Sequence, residues 1–227
     1  MPLPARATEP VSLELVLALD GSNSVSDEEF QLQLEGLARA FSDPSVLEAV
    51  ETRLPRGLAV ALAQWSNAQH QVVSIPWRLL HDARDCRQLA ADLRRVTRQV
   101  KGGTAINGAL AFSRRMIQGN GYEGRRKVID ISGDGPDRHQ AHTRWARDQA
   151  VAAGITVNGL VILDDSERLE TFYRNYVIGG DKAFVITAND FTDYAAAMRE
   201  KLLRELGVPQ VAARPPPALG SVRQKTR

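Results

Sequence analysis

Leu13-Glu14-Leu15-Val16-Leu17-Ala18-Leu19-Asp20-Gly21-Ser22-Asn23-Ser24 decides how this chain is read. From Leu13 to Leu19 the run is almost wholly apolar, the pattern of a strand buried on both faces. Asp20 to Ser24 breaks it with residues that favour turns and local hydrogen bonds. Directly after, Ser26-Asp27-Glu28-Glu29 has the Ser-x-x-Glu form of a capping box, and Phe30, Leu34, Leu37 and Phe41 recur behind it at helical spacing. Buried strand, oxygen-rich turn and amphipathic helix, in that order, predict the first unit of an open α/β sheet. The turn then lies at the sheet edge where such folds bind ligands.

Working outward, Leu58 to Trp65 and Gln71 to Trp77 are two β-rich runs separated by a short polar stretch, Ser66 to His70, which predicts a hairpin and an antiparallel strand at one edge. Leu89, Leu93, Val96 and Val100 predict one helix. Ile106, Ala109, Leu110 and Ile117 predict another after the Gly102-Gly103 break. Strands over Val128 to Ser132, Ile155 to Leu163 and Ala183 to Ile186 alternate with helices over Arg138 to Ala153, Glu167 to Tyr176 and Asp190 to Leu206. Such alternation implies crossover connections, hence a doubly wound α/β domain with a mainly parallel six-stranded sheet and helices on both faces. The expected organisation is a flexible segment over residues 1–10, one domain over 11–207, and a Pro-rich basic tail over 208–227, where Pro215-Pro216-Pro217 favours extended chain.

Composition agrees with one sizeable globular domain: 227 residues, 43% hydrophobic and 25% charged. The formal charge is +2, but Arg214, Arg223, Lys225 and Arg227 lie in the tail with no acid beside them, and Arg6 and Glu9 cancel. Residues 12–207 therefore carry a net −2. The basic isoelectric point describes the tail, and a dedicated nucleic-acid-binding domain is not expected. The single cysteine, Cys86, excludes an internal disulfide and any multi-cysteine zinc module. No apolar stretch approaches the roughly 20 residues of a membrane-spanning helix. Ala5-Arg6-Ala7 has the small-residue form of a processed leader's end.

Two further loops carry oxygen donors: Gly102-Gly103-Thr104 before a helix, and Ser132-Gly133-Asp134-Gly135 after a strand. Asp20, Ser22, Ser24, Thr104 and Asp134 together supply carboxylate and hydroxyl oxygens with no soft ligand. That donor set suits a hard divalent cation, Mg²⁺ or Mn²⁺ with Ca²⁺ as a further option, which keeps several waters. Two carboxylates neutralise the ion, so an anionic oxygen from a partner can complete its coordination.

The Asp20-x-Ser22-x-Ser24 triplet, the separate Thr104 and the Asp134-Gly135 pair, in that order, resemble the von Willebrand factor A-type domain with its metal-ion-dependent adhesion site, over roughly residues 11–207. The resemblance implies strand order 3-2-1-4-5-6. It also implies direct metal binding by Ser22 and Ser24, binding by Thr104 directly or through water, and action through water by Asp20 and Asp134. Gly21, Asn23, Trp65, Ser66, Gly103 and Gly135 would line the ligand mouth. It further implies a non-enzymatic, cation-dependent adhesion or scaffold module whose protein partner presents Asp or Glu, with a last helix, Asp190 to Leu206, that can shift on occupancy. The alternative is a metal-dependent hydrolase or phosphoryl-transfer enzyme at the same site. Ile129 to Pro136, Ala63 to Ser66 and Val177 to Gly180 look like an uncharacterised bacterial branch of the superfamily, often exported. A periplasmic or secreted location follows from that resemblance, with the cytoplasm as the alternative. Gly133 departs from the usual pattern and makes Asp130 a rival to Asp134; Asp134 is preferred because its Gly-flanked loop can approach an ion.

Other motifs read more plainly. Gly119-Asn120-Gly121-Tyr122-Glu123-Gly124 has the letters of a dinucleotide fingerprint, but follows a helix and precedes a strand, so it is read as a loop. His139 and His142 are read as a solvated helix start. Arg84, Arg87, Arg94, Arg95 and Arg98 are read as the solvated face of a helix. Trp65 and Trp77 are read as core, with a lining role left open for Trp65-Ser66 because it ends near the metal edge, and Asp164-Asp165-Ser166 is read as a helix start.

Overall fold

The computed structural model describes residues 8–163 and 167–209. Strand β1 spans Glu9–Asp20, followed by helices α1 (Asp27–Ala40) and α2 (Pro44–Arg53), strands β2 (Leu58–Trp65) and β3 (Gln71–Leu80), and helices α3 (Ala83–Leu93) and α4 (Ile106–Gln118). Then come β4 (Tyr122–Gly133), α5 (Gln140–Ala152), β5 (Ile155–Ile162), α6 (Glu167–Phe172) with a π-helical turn over Tyr173–Val177, β6 (Val185–Ala188) and α7 (Tyr194–Glu205). The strands form one sheet ordered β3-β2-β1-β4-β5-β6, parallel throughout except for the antiparallel β2–β3 pair. Strand order, the antiparallel edge and the fold class are as expected.

Alternation along β1 divides the core. Leu13, Leu15, Leu17 and Leu19 enter one apolar cluster with α1, α2, α3 and α7, while Val16 and Ala18 enter the other with α4, α5 and the π-helical turn. Both faces being covered is why the strand reads as a continuous apolar run. Glu14, in the middle of that run, is fully buried and accepts from Asn120 Nδ2 and the Gly124 amide, each at 2.5 Å. Its carboxylate thus occupies the Gly-x-Gly-x-x-Gly turn, which leaves that turn unsuited to phosphate. Tyr122 to Gly124 belong to β4 and not to a loop, because β1 begins at Glu9 and pairs with them. Glu9 and Pro10, expected in the flexible segment, are therefore in the sheet.

Helix boundaries differ where side chains offer the backbone another partner. The helix expected to run through Val96 and Val100 ends at Leu93, because Gln64 takes the Thr97 carbonyl at 2.8 Å and the Gln99 amide at 2.7 Å. The last helix starts at Tyr194 and not at Asp190, since the Asp190 carboxylate accepts from Thr192 and Asp193 in a local turn. The strand expected over 183–186 lies at Val185–Ala188. α2 was not anticipated; Asp43 caps it by accepting from Ser45 N, and Pro44 opens its first turn. At the sheet edges, β3 carries Pro76 at one of its two register shifts against β2, and β6 has four residues. No helix among the described residues is long and apolar enough to cross a membrane. Residues 1–7, residues 164–166, where a helix start was expected, and residues 210–227 lie outside the described residues.

Candidate metal centre at the top of the sheet

Asp20 ends β1 and Asp134 directly follows β4, the central neighbouring strands from which the sheet order runs in opposite directions. This is the topological switch point, where loops part to leave a crevice. Asp20 is wholly buried; its Oδ1 accepts from the Ser22 amide at 2.7 Å, while its Oδ2 has no hydrogen-bond partner. The hydroxyls continue the row. Thr104 Oγ1 donates to Ser22 Oγ at 3.4 Å, Ser22 Oγ lies 3.0 Å from Ser24 Oγ, and Ser24 Oγ donates to Asp134 Oδ1 at 2.8 Å. All five expected oxygen donors therefore come together from three separate loops.

The electrostatics of this cluster are those of too much negative charge with too little solvent. Burial, and then the nearby Asp134 charge, push the Asp20 carboxyl up to about 7. Tyr173, whose buried hydroxyl also has no partner, is raised by burial and by Asp20 and Asp134. An orphaned carboxylate oxygen beside hydroxyls is the environment a hard cation corrects, so these residues fit a divalent ion of the Mg²⁺ kind. Asp130, the rival carboxylate, lies inside β4 and faces Lys201 on α7 at 2.9 Å, both fully buried. It is committed to that pair, away from the Ser22–Ser24 row.

Gly133 explains its own insertion. A Cβ there would stand 2.8 Å from Tyr173 Oη, closer than real Cβ contacts come, and 3.0 Å from Asp20 Oδ2, tighter than nearly all of them. The strand end is thus wrapped tightly by Tyr173, delivered by the π-helical turn, a distortion that gathers at functional sites.

Supporting contacts fix the loops. Asn23 exchanges two hydrogen bonds with Gly102, its amide donating to the Gly102 carbonyl at 2.8 Å and its Oδ1 accepting from the Gly102 amide at 2.9 Å. Gln33 Nε2 donates to the Asp20 carbonyl at 3.2 Å. Arg98, expected on a solvated helical face, lies beyond α3 with its side chain 8% exposed, and its guanidinium donates to the carbonyls of Gly21, Ser22 and Val100 and to Asp27. The sequence reading missed it because a loop arginine aimed at carbonyls has the same letters as a surface one. Arg94 and Arg95 do reach surface carboxylates, Glu35 and Asp92.

Trp65, Ser66 and Gly21, expected to line the mouth, lie buried beneath it instead. Trp65 Nε1 donates to the Ala18 carbonyl, Gly21 N to the Trp65 carbonyl, and Ser66 Oγ to the Lys101 carbonyl, so all three brace the loops from below. Asn23, Gly103 and Gly135 do line a groove of about 900 Å³ running from Ser24 and Thr104. Its far wall holds His139 and His142, rings 5.5 Å apart, which the sequence spacing had left unconnected to the metal loops. The link is Asp137, 3% exposed, which accepts from Asn107 N, His139 N and Thr143 Oγ1 and so ties α4 to α5. One turn further along α5, Trp145 is 62% exposed. Among the described residues no three or more His, Cys, Asp or Glu side chains form a metal cluster, so the two carboxylates act with hydroxyls or not at all. Cys86 is buried, its thiol pushed up to about 12, and is chemically quiet.

Comparison with solved structures places this fold among von Willebrand factor A-type domains. Proximal thread matrix protein 1 of the mussel byssus shares 18% identity at a TM-score of 0.64, covering 90% of this chain and 50% of its own; a further structure of it has a zinc-occupied MIDAS motif. A von Willebrand factor type A protein of Catenulispora acidiphila shares 18% at 0.62, over 86% of this chain and 43% of its own. Manganese-loaded TRAP protein of Plasmodium vivax shares 16% at 0.53, over 84% and 73%. This chain spans about half the length of the first two. No curated protein matches it in sequence. Residues 10–210 match the family described as "protein of unknown function (DUF1194)", and the chain, a von Willebrand factor A-type fold with this crevice at its switch point, belongs to that family.

Proposed function

We propose that the protein is a cation-dependent protein-binding module, adhesive or scaffolding, in which Asp20, Ser22, Ser24, Thr104 and Asp134 hold a divalent ion and a partner's Asp or Glu completes its coordination. The observation that carries this reading is the buried, partnerless Oδ2 of Asp20 beside a row of three hydroxyls ending on Asp134. Burying a carboxylate oxygen without a partner costs free energy that a bound cation recovers. Mg²⁺ is the first choice, because the site offers few carboxylates and neutral hydroxyls and so leaves room for water. The zinc and manganese reported in the byssus and Plasmodium proteins support a divalent ion of this size.

When bound, the ion supplies a positive centre that attracts a carboxylate oxygen. The chain's own residues orient it: Arg98 and Gln33 hold the first loop, Asn23 locks it to Gly102, and the groove beyond receives the partner's flanking residues. A binding role is favoured over hydrolysis because the hydroxyls of Ser22, Ser24 and Thr104 bond to one another and to Asp134, with no histidine among their partners. Calorimetric titration of the metal-free protein with MgCl₂ and MnCl₂ tests the reading. Binding that vanishes in Asp20→Ala supports it, and unchanged binding in that variant overturns the site.

A further inference from the structure

The excess of basic residues is not confined to the tail. At the end of the sheet remote from Asp20 and Asp134, two adjoining cavities of about 610 and 760 Å³ share Arg125, Arg126 and Gly207 in their walls. Together those walls carry seven cationic side chains against a single carboxylate, Asp181. They come from the start of β4, the turn after α2, the loop before β6 and the last turn of α7, so only the fold brings them to one pole.

Part of this charge is neutralised on the spot. Lys127 meets Glu123 at 2.9 Å and Arg126 meets the buried Glu205 at 3.7 Å, while Arg53 donates to the neutral Gly207 carbonyl and keeps its charge. Arg56, Arg125, Lys182 and Arg204 pair with no carboxylate among the described residues; Arg204 lies over the Phe184 ring at 4.0 Å. Lys182 sits at φ 54°, in the left-handed region uncommon outside glycine and its short polar substitutes, and such strain gathers at functional positions. Gly207 is held here by Arg53, and the sequence after Pro209 carries Arg214, Arg223, Lys225 and Arg227 without an acid.

We propose that this pole docks on an anionic lipid surface. Lipid headgroups reward summed positive charge and demand no particular shape, at about fivefold in affinity per cation near the surface. Single-stranded nucleic acid would need exposed stacking aromatics; the aromatic in these walls, Phe184, is 5% exposed and covered by Arg204, and the exposed Leu32, Val73 and Trp145 line neither cavity. The arrangement is also directional. Arg125 and Asp134 are separated by most of β4, roughly 30 Å at strand rise, so a surface held at one end leaves the metal crevice facing away from it.

Sedimentation of the full chain with phosphatidylcholine vesicles, with and without phosphatidylserine, tests this. The expected result is binding that requires phosphatidylserine and weakens with added NaCl. The triple variant Arg56→Ser, Arg125→Ser, Lys182→Ser should lose about a hundredfold in affinity while keeping its circular dichroism; if it fails to fold, Arg125→Ser alone should lose about fivefold. A second variant, Arg214→Ser, Arg223→Ser, Lys225→Ser, Arg227→Ser, should retain part of the binding. Equal binding by the pole variants and the natural chain, complete loss in the tail variant, binding to pure phosphatidylcholine, or tighter binding to a short DNA than to the vesicles would each overturn the proposal.

Discussion

Asp130 on β4 and Lys201 on α7 meet at 2.9 Å with neither side chain reaching solvent, and Glu205 stands 3.4 Å from the same ammonium. One cation thus serves two buried carboxylates, and the cluster fastens the last helix to the strand that leads into the metal crevice. Lys201→Met would leave Asp130 without its cation, while Glu205 keeps Asn158 Nδ2 at 2.5 Å and Arg126 at 3.7 Å. Its expected cost is about 3–5 kcal/mol in urea denaturation, and Asp130→Leu added to it should recover much of the loss.

The same cluster sets a pH dependence. Burial and the Glu205 charge, opposed by Lys201, push the Asp130 carboxyl up to about 6 from an ordinary 3.8. The folded state therefore holds a proton that the unfolded chain has released. The stability linked to Asp130 is full below about pH 4 and is lost as the pH rises through about 6, a change of about 1–3 kcal/mol. Asp130→Asn should flatten that slope in thermal unfolding between those pH values; an unchanged slope would show that Asp130 titrates normally.

At the crevice, Asp20→Asn and Asp134→Ala should each abolish measurable Mg²⁺ binding, whereas Asp130→Asn should leave it intact. Asp20→Asn should also raise the stability of the metal-free protein by about 1–2 kcal/mol, because it removes a buried, repelled charge while keeping the oxygen that accepts from Ser22. A calorimetric titration and a denaturation curve on the same variant separate the two effects.

Gly133→Ala should destabilise the fold by about 1–3 kcal/mol and weaken cation binding, since the added methyl meets both Tyr173 Oη and Asp20 Oδ2. Tyr173→Phe, combined with it, should restore part of the stability by removing a partnerless buried hydroxyl.

Trp145→Ala should change stability by no more than about 0.5 kcal/mol and leave cation affinity untouched, because the ring is largely in water. If the groove and α5 form the partner's seat, the same substitution should lower affinity for a metal-dependent partner about tenfold or more. Surface plasmon resonance in Mg²⁺ and in chelator measures it; equal affinity with the natural chain would remove α5 from the seat.

Much of the fold was legible because buried parallel strands write themselves as apolar runs. Leu13 to Leu19 and Leu58 to Trp65 could be little else, and the order of Asp20, Thr104 and Asp134 fixed which ends meet. What escaped notice were contacts whose partner lies far away in sequence. Gln64 cut short the helix after Leu93, Asp190 delayed the start of α7, and Arg98 became a clamp on the Gly21 and Ser22 carbonyls. The basic pole was invisible for a related reason: residues 12–207 sum to a small negative charge, and a sum says nothing about where its parts lie.

Pro76 and the two register shifts of β3 close one side of the sheet, and the four residues of β6 shorten the other. Neither margin offers a straight row of free amides and carbonyls to a foreign strand. Copies crowded together on a surface would thus be protected from zippering into fibres, and recognition is left to the two ends of the strands, where side chains rather than backbone choose the partner.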